Sequence, residues 1–150
     1  MKRSPQFEAI AARMRVVLDT NILISALIQP AGRSAGLLEA WDSGQFELLY
    51  CHELVDEFRR VTRSGKLAAL ISVALAGRLL NDVRNSGILV RDLPQIDVSP
   101  DPWDNFLLAM CCSGSANYLV TGDKADLLAI GKYRTTRIVS VRAFAEMLEG

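Results

Sequence analysis

The sequence predicts an α/β fold: one domain with a central parallel sheet of about five short strands, flanked by helices on both faces. Two observations lead to this prediction. Short apolar, β-branched runs recur along the chain, and segments with helical spacing separate them. Strands that are apolar throughout are typical of a parallel sheet, because helices shield both of its faces from water.

Length and composition agree with a single globular domain. A chain of 150 residues is close to the commonest domain size and can bury one sizeable core. Hydrophobic residues make up 50% of it and charged residues 23%, which excludes a disordered or low-complexity chain. The 17 basic residues balance the 17 acidic ones. This balance excludes a strongly basic shell made for sequence-blind binding of nucleic acid, but it allows a local basic patch.

The predicted elements alternate along the chain. Apolar runs predict strands at residues 16–18, 46–51, 88–90, 118–121 and 137–139. Helical spacing predicts helices at 22–28, 34–41, 52–63, 68–85 and about 103–112, a short helix after Asp123 and a last helix from Val141. A polar stretch at 92–102, which contains prolines, is the one long loop expected.

The first fourteen residues differ from the rest. Phe7, Ile10, Ala11 and Met14 have helical spacing, so we expect an N-terminal extension at 1–14 and the main α/β domain at 15–150. The extension has no secretory h-region. No apolar span in the sequence reaches the ~18 residues needed to cross a bilayer.

The cysteines favour a reducing compartment. Cys51, Cys111 and Cys112 are odd in number and two are adjacent, which excludes an ordinary disulfide framework and shows no zinc-type spacing. We expect all three to belong to the core. Together with the absence of a signal segment, they predict a cytoplasmic protein without a membrane span.

Acidic residues follow the predicted strands. Asp19 comes directly after the first strand, Asp123 follows the strand that ends at Thr121, and Asp104 lies just inside the helix entered from the long loop. In an open parallel sheet, ligands bind at the carboxyl ends of the strands, where the connecting loops gather. We therefore expect these three carboxylates to face the same edge.

A fourth acid comes from the helix at 52–63. Its apolar stripe is formed by Leu54, Phe58 and Val61. At about 100° per residue, Glu57 falls roughly 70° from the centre of that stripe, and the other acids of the helix lie farther round. Glu57 is thus the acid nearest the core and is expected to lean over the sheet edge.

Four clustered carboxylates call for a cation. Two unit charges about 5 Å apart repel by roughly 3 kcal/mol at an effective dielectric near 20. Mg²⁺ or Mn²⁺ prefers hard oxygen ligands and removes this repulsion. A bound divalent ion also activates water and neutralises charge on a phosphodiester. The pattern therefore indicates metal-assisted phosphodiester hydrolysis.

Four motifs then resemble the PIN-domain nuclease family. They are VVLDTNILISAL at 16–27, the acid within ELVDEFRRV at 53–61, DPWDNFLLA at 101–109 and YLVTGD at 118–123. Each motif alone is weak, but the four occur in the family's order and spacing. The likeness runs from about Arg15 to the C-terminus and is closest to the VapC-like ribonucleases, the toxins of toxin–antitoxin pairs. Trp103, between Asp101 and Asp104, departs from the family's usual turn.

The resemblance implies a Mg²⁺- or Mn²⁺-dependent endoribonuclease acting on RNA, inhibited by a small antitoxin protein and assembled as a homodimer. It assigns catalysis and metal binding to Asp19, Glu57, Asp104 and Asp123. It gives supporting roles to Asn21 and Thr121, which orient the first and last of these acids, and to Asp101. Asp126 lies one residue later than an extra acid often found in the family, so we leave it out of the site.

Each of these residues also has a structural interpretation. Asp101, Pro102 and Asp104 form a good helix start, with Asp101 as the N-cap. Asp19 or Asn21 fits the cap of the next helix, Asp123 fits another cap, and Glu57 fits a surface pair with Arg60 or Arg63. His52, the one histidine, fits a helix start. Because the sequence has no other histidine and no suitably placed serine, a Ser-His-Asp hydrolase is not expected.

Two other functions stay open from the sequence. One is a catalytically silent PIN module that binds RNA or a protein partner. The other is a receiver-type phosphoacceptor, which would need an acceptor Asp after the third strand, where the chain has Val90 and Arg91.

Overall fold

The computed structural model describes residues 14–122 and 125–150. Its strands are β1 (Arg15–Leu18), β2 (Glu47–Tyr50), β3 (Ile88–Leu89), β4 (Tyr118–Thr121), β5 (Lys132–Tyr133) and β6 (Thr136–Ser140). Its helices are α1 (Thr20–Ile28), α2 (Arg33–Asp42), α3 (His52–Thr62), α4 (Gly65–Leu70), α5 (Val73–Ser86), α6 (Pro102–Gly114), α7 (Ala125–Ile130) and α8 (Val141–Glu149). The predicted α/β fold is confirmed.

The strands form one sheet in the order β3-β2-β1-β4-β6-β5. All pairings among β1, β2, β3, β4 and β6 are parallel, as predicted. The structure adds β5, an antiparallel edge strand that the sequence analysis missed. Tyr133 pairs with Thr136 across a tight turn in which Arg134 has a φ of 53°. A strand of two residues is too short for a periodic signal, which explains the omission.

Helices cover both faces of the sheet. The crossovers from β1 to β2 and from β3 to β4 run in opposite directions along it, so right-handed connections place α6 on the face opposite α1 and α2. Helices α2 and α8 pack against each other, whereas α6 packs on β1, β2 and β4. The central strands β1, β2 and β4 are therefore buried on both sides, with Val16, Val17 and Leu119 fully inaccessible.

The predicted helix at 68–85 is wrong as a single element. The structure ends α4 at Leu70 and begins α5 at Val73. Ile71 is extended, with φ −118° and ψ 126°, and Ser72 caps α5 by accepting a hydrogen bond from the backbone N–H of Leu75. Ile71 is buried, so its apolar side chain fits a helical pattern while its backbone breaks the helix.

The N-terminal boundary stays a prediction. Residues 1–13 of the expected extension lie outside the described residues. Met14 is described: it packs against the core, and its carbonyl accepts a hydrogen bond of 2.8 Å from the N–H of Glu47. Within the described ranges, none of the helices has the length and hydropathy required to span a membrane.

Gly87, which follows α5, lies so close to the carbonyl of Val83 and the ring of Tyr50 that a side chain would not fit there. A Cβ added there would lie 2.5 Å from the carbonyl oxygen of Val83 and 2.8 Å from Cδ1 of Tyr50. We expect Gly87→Ala to lower the free energy of unfolding by about 1–3 kcal/mol, because backbone and a packed ring must both move. Urea denaturation measures this change.

The control for Gly87 is Gly77→Ala within α5, where an added Cβ meets no atom within 4 Å. Alanine favours a helix interior by about 0.5–1 kcal/mol over glycine, so this variant should be more stable than the wild type. Equal stability of the two variants would contradict the packing described at Gly87.

Candidate active site

Buried polar residues concentrate at the carboxyl edge of the sheet. The described residues contain seven buried polar or charged side chains, and five of them lie at this edge: Asp19, Thr20, Ser99, Asp104 and Thr121. The other two, Thr62 and Thr136, each donate a hydrogen bond to a backbone carbonyl elsewhere. Because burying polar groups is unfavourable without a compensating interaction, their concentration at one edge indicates a functional site.

Asp19 lies at the centre of this edge. Its side chain is 1% exposed, and it follows directly on β1. Oδ1 accepts a hydrogen bond of 3.4 Å from the backbone N–H of Asn21, and Oδ2 accepts one of 3.2 Å from the hydroxyl of Thr121. Asp19 is therefore both the N-cap of α1 and an acid held from the neighbouring strand β4.

Asp104 is the second buried acid. It lies in the first turn of α6, is 1% exposed, and accepts a hydrogen bond of 3.0 Å at Oδ2 from the hydroxyl of Ser99. Helix α6 leads back to the start of β4, so its N-terminus lies at the carboxyl edge. Ser99 was not identified from the sequence; it lies in the polar loop, five residues before the acid. The available signal was a hydroxyl residue shortly before the start of a helix whose first turn carries the acid.

Glu57 is the least exposed acid of α3, as predicted, but it is paired. Its side chain is 23% exposed, and both carboxylate oxygens lie 2.7 Å from Nη2 of Arg60. The structure thus contains the surface pair that the sequence left open. Arg60 is itself mostly exposed, so the pair contributes little to stability and its guanidinium is able to move away.

Three of the predicted residues remain, namely Asp123, Asp101 and Asn21. Asp123 lies outside the described residues, so its place in the site stays a prediction. Asp101 is the N-cap of α6, accepting a hydrogen bond of 2.9 Å from the N–H of Trp103. Asn21 contributes its backbone N–H to Asp19, and its side chain is exposed, as is that of Asp126.

One further residue adds to the polar edge. Thr20, adjacent to Asp19, is buried, and its hydroxyl oxygen has no hydrogen-bond partner in the described part of the chain. A buried hydroxyl without a partner is uncommon in proteins. The sequence analysis did not single it out, because threonine directly after an acid also fits a helix start.

The donor set at this edge fits Mg²⁺ or Mn²⁺. Asp19 and Asp104 are buried carboxylates on separate elements, and Mg²⁺ is usually held by one or two carboxylates together with water. Over residues 14–122 and 125–150, no three His, Cys, Asp or Glu residues form a metal-binding group. Glu57 is paired with Arg60 and Asp123 lies outside the described residues, so a third protein ligand stays a prediction.

Cys51, Cys111 and His52 are not among the polar residues of this site, and Cys112, expected in the core, is only half-buried. Cys51 and Cys111 are buried in the core, and burial raises the pKa of each thiol to about 12. Both thiols are therefore protonated at neutral pH, so neither is activated as a nucleophile. His52 is the exposed first residue of α3, as its helix-start interpretation expected.

Comparisons with known proteins agree with the observed fold. The family model described as PIN domain matches residues 15–125. The crystal structure of PAE2754 from Pyrobaculum aerophilum is similar, with a TM-score of 0.57 and 21% sequence identity over 92% of this chain and 90% of that one. At that identity the likeness shows the fold alone. No curated protein sequence matches the chain.

Proposed function

Because the chain belongs to the PIN domain family, whose fold is of the nuclease type, we propose that it is a Mg²⁺- or Mn²⁺-dependent endoribonuclease. The observation that carries the proposal is the pair of buried acids, Asp19 and Asp104, at the carboxyl edge of the sheet. Each accepts a hydroxyl hydrogen bond that fixes its carboxylate. Fixed hard-oxygen ligands suit a divalent cation.

The residues of the proposed site have separate roles. Asp19, Glu57, Asp104 and Asp123 hold the metal, and Thr121 and Ser99 hold Asp19 and Asp104 in position. A divalent ion held by these acids would supply a nucleophilic water and neutralise charge on the phosphodiester. Asp101 caps the start of α6 and so places Asp104 in the first turn of the helix.

The Glu57–Arg60 pair adds a step to this proposal. Glu57 would hold the metal only after release from Arg60, because its oxygens are occupied by the guanidinium in the described structure. Because Arg60 is exposed, breaking its pair with Glu57 requires little free energy. Arg60 is then available to the phosphate backbone of bound RNA.

RNA cleavage with and without metal tests the proposal. We expect the purified protein to cleave single-stranded RNA at internal positions in the presence of Mg²⁺ or Mn²⁺, and we expect excess EDTA to reduce cleavage to background. Gel analysis of end-labelled RNA measures both. Restoring Mg²⁺ after EDTA should restore cleavage, which separates metal loss from unfolding.

A catalytically silent PIN module is the second candidate. The observation that favours it is the occupied carboxylate of Glu57, together with the lack of a three-residue metal group among the described residues. This module binds RNA or a partner without turnover. RNA binding with no cleavage in either metal, or cleavage that persists in EDTA, contradicts the metal-dependent mechanism.

We further propose that the protein is the toxin of a toxin–antitoxin pair and acts in the cytoplasm as a homodimer. The support is the resemblance of its four motifs to the VapC-like ribonucleases. The small antitoxin would cover the acidic edge. If a small gene lies directly upstream, its purified product should block RNA cleavage, and a lack of inhibition would argue for a housekeeping nuclease.

A further inference from the structure

A polar cleft lies at the carboxyl edge on the side of β4 away from β1. It has a volume of about 410 Å³ and opens between the starts of α2 and α8. We call it the arginine cleft; its lining includes Ser25, Gln29, Arg33, Gly122, Ser140 and Arg142. None of these residues belongs to the acidic site described above.

The arginine cleft adjoins the acidic site. Gly122 directly follows Thr121, the residue that donates a hydrogen bond to Asp19. Ser140, at the end of β6, pairs with Thr121 in the sheet. Since adjacent strands are about 4.8 Å apart, β6 lies roughly 10 Å from β1. One extended single strand therefore reaches both places.

The charge of the cleft is opposite to that of the acidic site. Arg33 and Arg142 come from different helices, and no acidic residue is among its described lining residues. Nε of Arg142 lies 3.3 Å from Oε1 of Glu146 in an exposed pair, which contributes little. The hydrogen bond of that pair is donated by Nε of Arg142.

The helices add to this positive potential. Helices α2 and α8 begin at the cleft, and neither has an acidic residue in its first turn. Their N-terminal ends carry partial positive charge. Together with two guanidinium groups, which match the geometry of phosphate oxygens, they make the cleft suited to an anion of the phosphate type.

We propose that the arginine cleft binds a backbone phosphate of the RNA strand, close to the phosphodiester held at the acidic site. This inference rests on the proposed function for the identity of the ligand. A cluster of carboxylates repels RNA, and the chain as a whole has a formal net charge of zero. Local cations beside the acids are therefore needed to hold the substrate across the edge.

The test compares two double variants with equal loss of charge. Arg33→Gln/Arg142→Gln removes the guanidinium groups of the cleft. The control, Arg84→Gln/Arg137→Gln, removes two exposed arginines near the opposite edge, where α5 ends and where β4 and β6 begin. All four side chains are exposed, so both variants should fold, and circular dichroism confirms this.

The first measurement is binding of a short single-stranded RNA in EDTA, followed by fluorescence anisotropy at several KCl concentrations. We expect the cleft variant to bind roughly tenfold more weakly at 0.1 M salt, and the slope of log affinity against log salt to become shallower by about 0.7, the contribution of one phosphate contact to a single strand. The control variant should bind like the wild type. Equal weakening in both variants overturns the proposal.

The second measurement needs neither RNA nor activity. Inorganic phosphate is titrated at constant ionic strength, and the amide signals of Ser34 and Gly122 are followed by NMR. We expect saturable shifts in the wild type and the control that are lost in the cleft variant. Shifts that persist in the cleft variant, or that are absent from the wild type, overturn the arginine cleft. Phosphate binding without RNA cleavage instead supports the cleft and contradicts the nuclease.

Discussion

Replacing Asp19 with asparagine is expected to reduce metal-dependent RNA cleavage by about 10²–10⁴-fold while the protein stays folded. The amide has nearly the same shape as the carboxylate, and its oxygen still accepts a hydrogen bond from Thr121. It lacks the negative charge that binds a divalent cation. Metal ions supply several kcal/mol of charge stabilisation, and each tenfold change in rate corresponds to about 1.36 kcal/mol.

Single-turnover cleavage at saturating Mg²⁺ measures this effect, and circular dichroism checks the fold. The matched control is Asp126→Asn, which makes the same chemical change at an exposed acid in the first turn of α7. It should cleave at the wild-type rate. Cleavage at the wild-type rate by Asp19→Asn would contradict the role of Asp19 as the central residue of the proposed site. Equal losses of activity in the two variants would indicate a general charge effect.

Truncating Phe144 to alanine is expected to lower the free energy of unfolding by about 3–5 kcal/mol, the usual cost for a buried phenylalanine. Phe144 is 0% exposed. Its ring contacts Phe46 edge-on at 5.5 Å and Tyr118 at 5.6 Å between centroids. Phe144 therefore packs α8 against the sheet, and its truncation leaves a cavity lined by the rings of Phe46 and Tyr118.

Urea denaturation measures the change as a lower midpoint at an unchanged m-value. The control is Met147→Ala on the same helix, where the side chain is 45% exposed; it should change stability by no more than about 0.5 kcal/mol. A loss below about 1 kcal/mol for Phe144→Ala would contradict the packing of α8 described here.

The strands of the parallel sheet were predictable because their runs are apolar on both faces. Residues 16–18, 46–51, 88–90, 118–121 and 137–139 each overlap an observed strand. The break at Ile71 was not predictable, since a buried apolar residue satisfies a helical pattern whatever its backbone conformation. β5 was missed because it depends on pairing with β6 and carries no pattern of its own.

The candidate site was predictable where chain position alone determines the location of an acid. Asp19 after β1 and Asp104 at the start of α6 are such cases, and both are buried at the expected edge. The side-chain partners were less predictable. The bond from Ser99 to Asp104 depends on the path of an irregular loop. Helix spacing, by contrast, favours Arg60 over Arg63 as the partner of Glu57, because residues three apart share a helix face and residues six apart do not.

The strand order has a consequence for the origin of the acidic site. From β1 the chain builds outward through β2 and β3 in one direction, and from β4 it builds through β6 in the other. β1 and β4 therefore flank a topological switch point, where the connections leave toward opposite faces and open a crevice between them. Asp19 and Thr121 border that crevice. The crevice follows from the order of the strands alone. Loops elsewhere can therefore change in sequence and alter substrate specificity while the crevice stays open.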